Sequence, residues 1–251
     1  MARDTTTSAN YVEVAVSLTP TNPLSFACRY INNNGSQNDV AVLGIFDSSS
    51  INNRTFVTQH SGGAGANVRV LTAGSTGTQH NGYAAGVAST TAFNSVVVRL
   101  DDPGTRRCRM TLNGDIAGQY SGQLANTHPT TSDRFTLGYL RDNTPSNWGD
   151  VTGADLAVWT VSLDDDEVSA YHSGASPLLI RPGSLYCYAP GNGEVLDHFG
   201  RTASNTSTTQ ADSPHTKKRL GRRTYFIPAA APSGFQAAWA RNSNTVIQAV
   251  A

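Results

Sequence analysis

Leu24-Ser25-Phe26-Ala27-Cys28-Arg29-Tyr30 alternates along the chain, with Leu24, Phe26, Cys28 and Tyr30 falling on one face. That period of two is the pattern of a half-buried strand. Asn32-Asn33-Asn34-Gly35 follows as a turn, and similar runs predict strands over residues 40–46, 54–59, 66–72 and 82–88. A hairpin is predicted where Asn94–Leu100 and Arg107–Leu112 flank Asp101-Asp102-Pro103-Gly104. In its second arm Cys108, Met110 and Leu112 face one way, and Asn113-Gly114 supplies residues suited to positive φ in a tight turn. Strands are predicted again over 134–140 and 154–161, and 177–190 reads as one last strand. A single helix of two to three turns is expected: Asp164 caps it, Glu167 stands three residues on, Val168 and Tyr171 give it an apolar side, and Gly174 ends it.

Short strands separated by Gly, Asn and Ser clusters describe an all-β, two-sheet antiparallel sandwich with one short helix and a C-terminal extension. The expected boundaries are a polar leader over 1–10, the sandwich over 11–200, and a linker and arm over 201–251, in which 202–213 is polar and of low complexity. The arm has too little apolar periodicity to form a core of its own, so it is expected to pack on the body or on a partner.

Composition supports strands and turns. Charged residues make up 14% of the chain, against about 25% in a typical globular protein, while Ser, Thr and Asn together exceed a quarter of it. Thr suits a pleated surface, and Asn and Ser suit turns. The zero net charge conceals a division. Residues up to Asp212 hold all 18 acidic groups and 12 arginines, a net −6; Lys217, Lys218, Arg219, Arg222, Arg223 and Arg241 make the rest +6. Such a tail is attracted to acidic protein more readily than it identifies a nucleic-acid binder, because no nucleic-acid fold accompanies it. Cys28, Cys108 and Cys187 sit in apolar runs at no metal or redox spacing, so buried free thiols are expected. No run of about 18 apolar residues suggests a membrane span, and no N-terminal stretch reads as a signal peptide.

The order of several segments carries a family resemblance. The strand near Leu24, Val96-Val97-Val98-Arg99-Leu100, Arg109-Met110-Thr111-Leu112-Asn113-Gly114, Phe135-Thr136-Leu137-Gly138, and Ala154-Asp155-Leu156-Ala157-Val158-Trp159 follow one another, then Leu163-Asp164-Asp165-Asp166-Glu167-Val168 and Tyr186 to Pro190. This succession resembles the laminin-G-like, concanavalin-A-like jelly-roll family over residues 10–200. The tail segments Arg222-Arg223-Thr224-Tyr225-Phe226-Ile227-Pro228 and Asn244-Thr245-Val246-Ile247 resemble endings of phage-encoded members. That second resemblance implies a structural part of a virion, as a head decoration, a minor capsid protein or a tail component.

The candidate chemistry is sparse. Glucanases of this fold need paired carboxylates, but the chain has only Glu13, Glu167 and Glu194, and Asp164 to Glu167 read as a helix start. The six histidines are scattered and read as loop or surface residues. No catalytic residue is assigned. Calcium is the one cofactor left open, with Asp142, Asn143, Asn147 and Asp150 as oxygen ligands in one loop. Trp148 in that loop is the candidate glycan contact. In the arm, Arg222, Arg223, Tyr225, Phe226, Phe235 and Trp239 are the candidate assembly contacts. The reading is therefore a non-enzymatic virion protein that partners other capsid or tail subunits, forms homo-oligomers, and is assembled in the host cytoplasm without membrane or nucleic acid. A carbohydrate-binding, receptor-binding lectin is the alternative, and a glycan-degrading enzyme ranks last.

Overall fold

The computed structural model describes residues 2–4, 11–19, 23–33, 40–60, 67–73, 79–89, 92–101, 107–116, 120–123, 131–138, 151–190, 199, 203–206 and 209–211. The chain divides into two units, Met1–Ser213 and Pro214–Ala251, and all described residues belong to the first.

In chain order the strands are β1 Ala2–Asp4, β2 Tyr11–Leu18, β3 Leu24–Asn32, β4 Val40–Asp47, β5 Ser50–His60, β6 Asn67–Ala73, β7 Gln79–Val87, β8 Asn94–Leu100, β9 Arg107–Leu112, β10 Tyr120–Gln123, β11 Ser132–Leu137, β12 Val151–Trp159, β13 Leu185–Ala189, β14 Ala203–Thr206 and β15 Thr209–Ala211. The helix α1 spans Asp165–His172. An eight-stranded sheet runs β10-β9-β8-β3-β12-β1-β15, with β13 sharing one side of β12 with β1, and a seven-stranded sheet runs β14-β2-β11-β4-β5-β6-β7. All the pairings are antiparallel, and strands from both sheets enter one apolar core: an all-β jelly-roll sandwich.

Alternation explains how the core is filled. Leu24, Phe26, Cys28 and Tyr30 of β3 lie in it with Val96, Val98 and Leu100 of β8, facing Val12, Val14 and Val16 of β2 and Val68 and Val70 of β6. Gly153 of β12 lets the sheets meet closely, because a Cβ there would come within 2.5 Å of the Leu137 side chain on β11. Cys28, Cys108 and Cys187 are buried and form no disulfide, as expected, and burial raises the Cys28 and Cys108 thiols far above the ordinary cysteine range.

Several boundaries differ from the sequence expectation. The leader contributes β1, and the polar stretch read as a linker contributes β14 and β15, which pair with β2 and β1. A strand of three or four residues is held by its backbone ladder and needs no apolar alternation, so mostly polar residues can form it. Residues 177–190 are not one strand. Pro177–Leu179 and Pro182–Ser184 form 3-10 turns before β13, each led by proline, and Arg181 between them has a left-handed φ of 42°. The strand expected to reach residue 140 ends at Leu137, where Gly138 takes φ 73°. The turn after β9 is as read, with Asn113 and Gly114 at φ 52° and 86° and Asp115 N–H donating to the Leu112 carbonyl at 3.0 Å.

Candidate functional site

The outer face of the eight-stranded sheet gathers most of the described ionic chemistry. Residues of opposite parity to the core, Ser25, Ala27 and Arg29 on β3 and Ser95, Val97 and Arg99 on β8, point away from the other sheet. Over them lies α1. Its capping box is complete: Asp164 Oδ1 accepts from the Glu167 backbone, and Glu167 Oε2 accepts from the Asp164 backbone, each at 2.9 Å. Arg181 ties the same two carboxylates from the 3-10 segment. Val168 and Tyr171 bury the helix's apolar side with Ala27, Val97, Ala157 and Trp159, and Trp159 Nε1–H donates to the Ile180 carbonyl at 2.8 Å.

Asp155 is placed by a bulge. Pairing of β12 with β3 shifts between Ala154 and Ala157, so Asp155 and Leu156 together oppose Cys28, and Asp155 takes φ 52°. A regular strand would aim Asp155 at the core, as it does Val151 and Gly153; the extra residue swings the carboxylate outward and keeps Leu156 inside. Outside, Asp155 pairs with Arg29 and accepts from Tyr188 OH at 2.9 Å. Arg29 also donates to the Tyr171 and Ala175 carbonyls at 2.6 and 3.1 Å and stands 4.5 Å over the Tyr171 ring. Burial, with the Asp155 charge added, pushes the Tyr188 hydroxyl well above the usual tyrosine range. The knot joins β3, β12, β13 and α1.

At the N-terminal end of α1, Arg99 and Arg109 stand directly opposite on β8 and β9, an unfavourable like-charge pair unless neutralised. Asp165 binds Arg99 at 2.6 Å, and Asp101 holds Arg109 with two bonds of 2.7 and 2.9 Å while accepting from Ser162 at 2.6 Å. Burial alone would raise the Asp101 carboxyl, but the Arg109 and Ser162 bonds and the two arginine charges outweigh it and leave it lowered. At the other end, the His172 ring sits between two hydroxyls, Ser95 Oγ at 2.6 Å from Nδ1 and Thr111 Oγ1 at 2.9 Å from Nε2. Burial, then the Arg29 and Arg99 charges, lower its pKa to about 4. An imidazole so acidic is a poor base at neutral pH, and a hydroxyl rather than a carboxylate orients it. The arrangement fastens α1 to β8 and β9.

His172 was expected in a loop or at the surface and instead lies in the last turn of α1. Sequence reading also passed over Arg29, Arg99 and Asp155. The arginines' outward parity was visible in the alternation, whereas the bulge that places Asp155 leaves no such mark. The candidates Asp142, Asn143, Asn147, Trp148 and Asp150 lie outside the described residues, between Leu137 of β11 and Val151 of β12. Arg222, Arg223, Tyr225, Phe226, Phe235 and Trp239 lie outside them as well. Among the described residues no group of three His, Cys, Asp or Glu is placed to hold a metal ion.

No family model matches the chain, and no curated protein matches it. Solved structures do. A SAP-like pentraxin from Limulus polyphemus is 13% identical with a TM-score of 0.56, over 79% of this chain and 90% of that one. A Bacteroides ovatus protein described as a candidate carbohydrate-binding protein is 11% identical with a TM-score of 0.56, over 85% and 61%. The enzymatically active domain of tailspike protein 2 of bacteriophage CBA120 is 15% identical with a TM-score of 0.54, over 73% and 29%. At these identities the likeness is one of fold, and the fold is the jelly-roll sandwich shared by lectin-like modules.

Proposed function

We propose that the chain is a non-catalytic structural component of a virus particle, a head decoration, minor capsid or tail-associated protein whose jelly-roll body is fastened to other particle proteins by its C-terminal arm. The observation that carries this reading is the coincidence of two boundaries. The chain divides between Ser213 and Pro214, and the net charge changes sign there, from −6 through Asp212 to +6 beyond it. The last described strand, β15, ends at Ala211, just before that point. A basic segment steers encounter with an acidic surface, and Tyr225, Phe226, Phe235 and Trp239 supply the aromatic anchors that dominate interface energy. The body's own ionic groups support the reading, since Asp101, Asp155, Asp165 and His172 are engaged by partners within the body. A phage tailspike also carries this fold. Mass spectrometry of purified particles is expected to find the chain in many copies. Its absence from particles contradicts the proposal.

A second reading, binding of a surface glycan, is favoured by the segment between β11 and β12, where Trp148 stands among Asp142, Asn143, Asn147 and Asp150. A Trp face suits a sugar ring, and the four oxygen donors suit calcium. On this reading, glycan-array signal is lost in Trp148→Ala and is sensitive to chelator. Silence of the unaltered chain across a broad array removes it.

A further inference from the structure

His172 lies in the last turn of α1, where an exposed histidine gains from protonation because the helix's terminal carbonyls attract the charge. In this fold those carbonyls are already engaged. Arg29 donates to the Tyr171 and Ala175 carbonyls, and the Ser173, Gly174 and Ala175 N–H groups donate to the Ser169, Tyr171 and Ala170 carbonyls. The ring meets the Ser95 hydroxyl of β8 at one nitrogen and the Thr111 hydroxyl of β9 at the other, and it packs edge-on against Tyr171. Among the described residues neither nitrogen is paired with a carboxylate. The charged groups on the elements around it are Arg29 of β3, Arg99 of β8, Arg109 of β9, Asp115 just after β9, Asp155 of β12 and the carboxylates in the first turn of α1. Asp155, Asp165 and Asp101 answer Arg29, Arg99 and Arg109 rather than the ring. Arg29 and Arg99 are buried beneath the helix, so a proton on His172 adds a third positive charge to a poorly hydrated place.

We propose that α1 is an acid-released clasp: protonation of His172 undocks the helix from the outer face of the eight-stranded sheet while the two sheets stay packed. The docked ring has a pKa of about 4, and an undocked ring, hydrated and away from both arginines, returns to the ordinary 6.5. Protons therefore favour the undocked helix, and its share rises as the pH falls from 6.5 toward 4. Undocking uncovers Ala27, Val97, Ala157 and Trp159, a smaller apolar cluster than the one between the sheets. Local opening of such an element needs less free energy than unfolding the whole body. Neither the arm nor a particle enters the clasp, so it stands apart from the proposed function.

The test is hydrogen exchange on the full-length chain at pH 7.5 and pH 5, corrected for the intrinsic exchange rates. Protection of the α1 amides is expected to fall by about 30-fold between the two, the factor set by moving one pKa from 6.5 to about 4. At pH 5 the β8 amides are expected to remain at least tenfold better protected than those of α1. In His172→Asn the fall in α1 protection is expected to be less than threefold. One common rate for α1 and β8 at pH 5 overturns the proposal, because the helix then leaves only when the whole body unfolds. So does a folded His172→Asn chain whose α1 protection falls as steeply as in the unaltered chain. Should that variant fail to fold, nuclear magnetic resonance titration of the His172 ring in the unaltered chain decides: titration near 4 supports the clasp, and titration near 6.5 overturns it.

Discussion

The two faces of the eight-stranded sheet are built by different means from the same strands. Toward the other sheet, β3, β8 and β12 present Phe26, Cys28, Val96, Val98, Leu156 and Val158, and burial of apolar area holds them. Away from it, the same strands present Ser25, Arg29, Ser95, Arg99 and, through the bulge, Asp155, which bind α1 by ion pairs, hydroxyls and backbone carbonyls. The inner face therefore carries no group that titrates between pH 4 and 7.5 among the residues named. The outer one adds charge and titration to a small apolar cluster, and a single lost partner there strands a buried charge.

Losses on the two faces are expected to be similar in size but different in kind. Phe26→Ala leaves a cavity and is expected to cost about 3–5 kcal/mol, the same at pH 7.5 and pH 4.5 in urea denaturation. Asp155→Ala leaves Arg29 buried without its counter-charge, and breaking such a pair also costs about 3–5 kcal/mol. Its distinguishing mark is greater exchange of α1 amides than of β8 amides. Equal exchange in both elements would remove the distinction between the faces.

Acid acts on the outer face. His172 has a folded pKa of about 4 against an ordinary value of 6.5, so it is neutral in the fold and protonates more readily unfolded. The stability this linkage contributes is full above pH 6.5 and falls as the pH drops toward 4, by on the order of 3 kcal/mol. Asp101, whose pKa is lowered, adds a further loss at still lower pH. Urea midpoints measured from pH 7.5 to 4 are expected to fall in the unaltered chain and to stay flatter in His172→Asn. The smallest effect probes the core side of the seven-stranded sheet, where the Gln59 amide of β5 is buried with neither its oxygen nor its nitrogen partnered. Gln59→Leu is expected to stabilise by about 1 kcal/mol, since an unpaired buried amide is costly. A loss of stability would mean that a hidden partner satisfies it.

Elements whose pattern is written in side chains were legible in sequence. β3, β8 and β9 follow from alternation, and α1 from Asp164, Glu167 and Gly174. Elements defined by a neighbour were not: β1, β14 and β15 are polar segments that become strands by pairing. Val12, Val14, Val16 and Leu18 of β2 do alternate, and that signal stood in the chain without being singled out. Pro177 and Pro182 were signals too, because proline at the first position of a turn disfavours a continuous strand. The Asp155 knot was illegible, since alternation assigns that carboxylate to the wrong face and only the three-dimensional register corrects it.

We propose that attachment resides beyond Ser213 and that residues 1–213 fold without the arm. A chain ending at Ser213, co-expressed during particle assembly, tests it most directly. The truncated body is expected to keep the thermal midpoint of the full chain and to be missing from purified particles. A truncated body incorporated at the full-length copy number, or one that fails to fold, would contradict it.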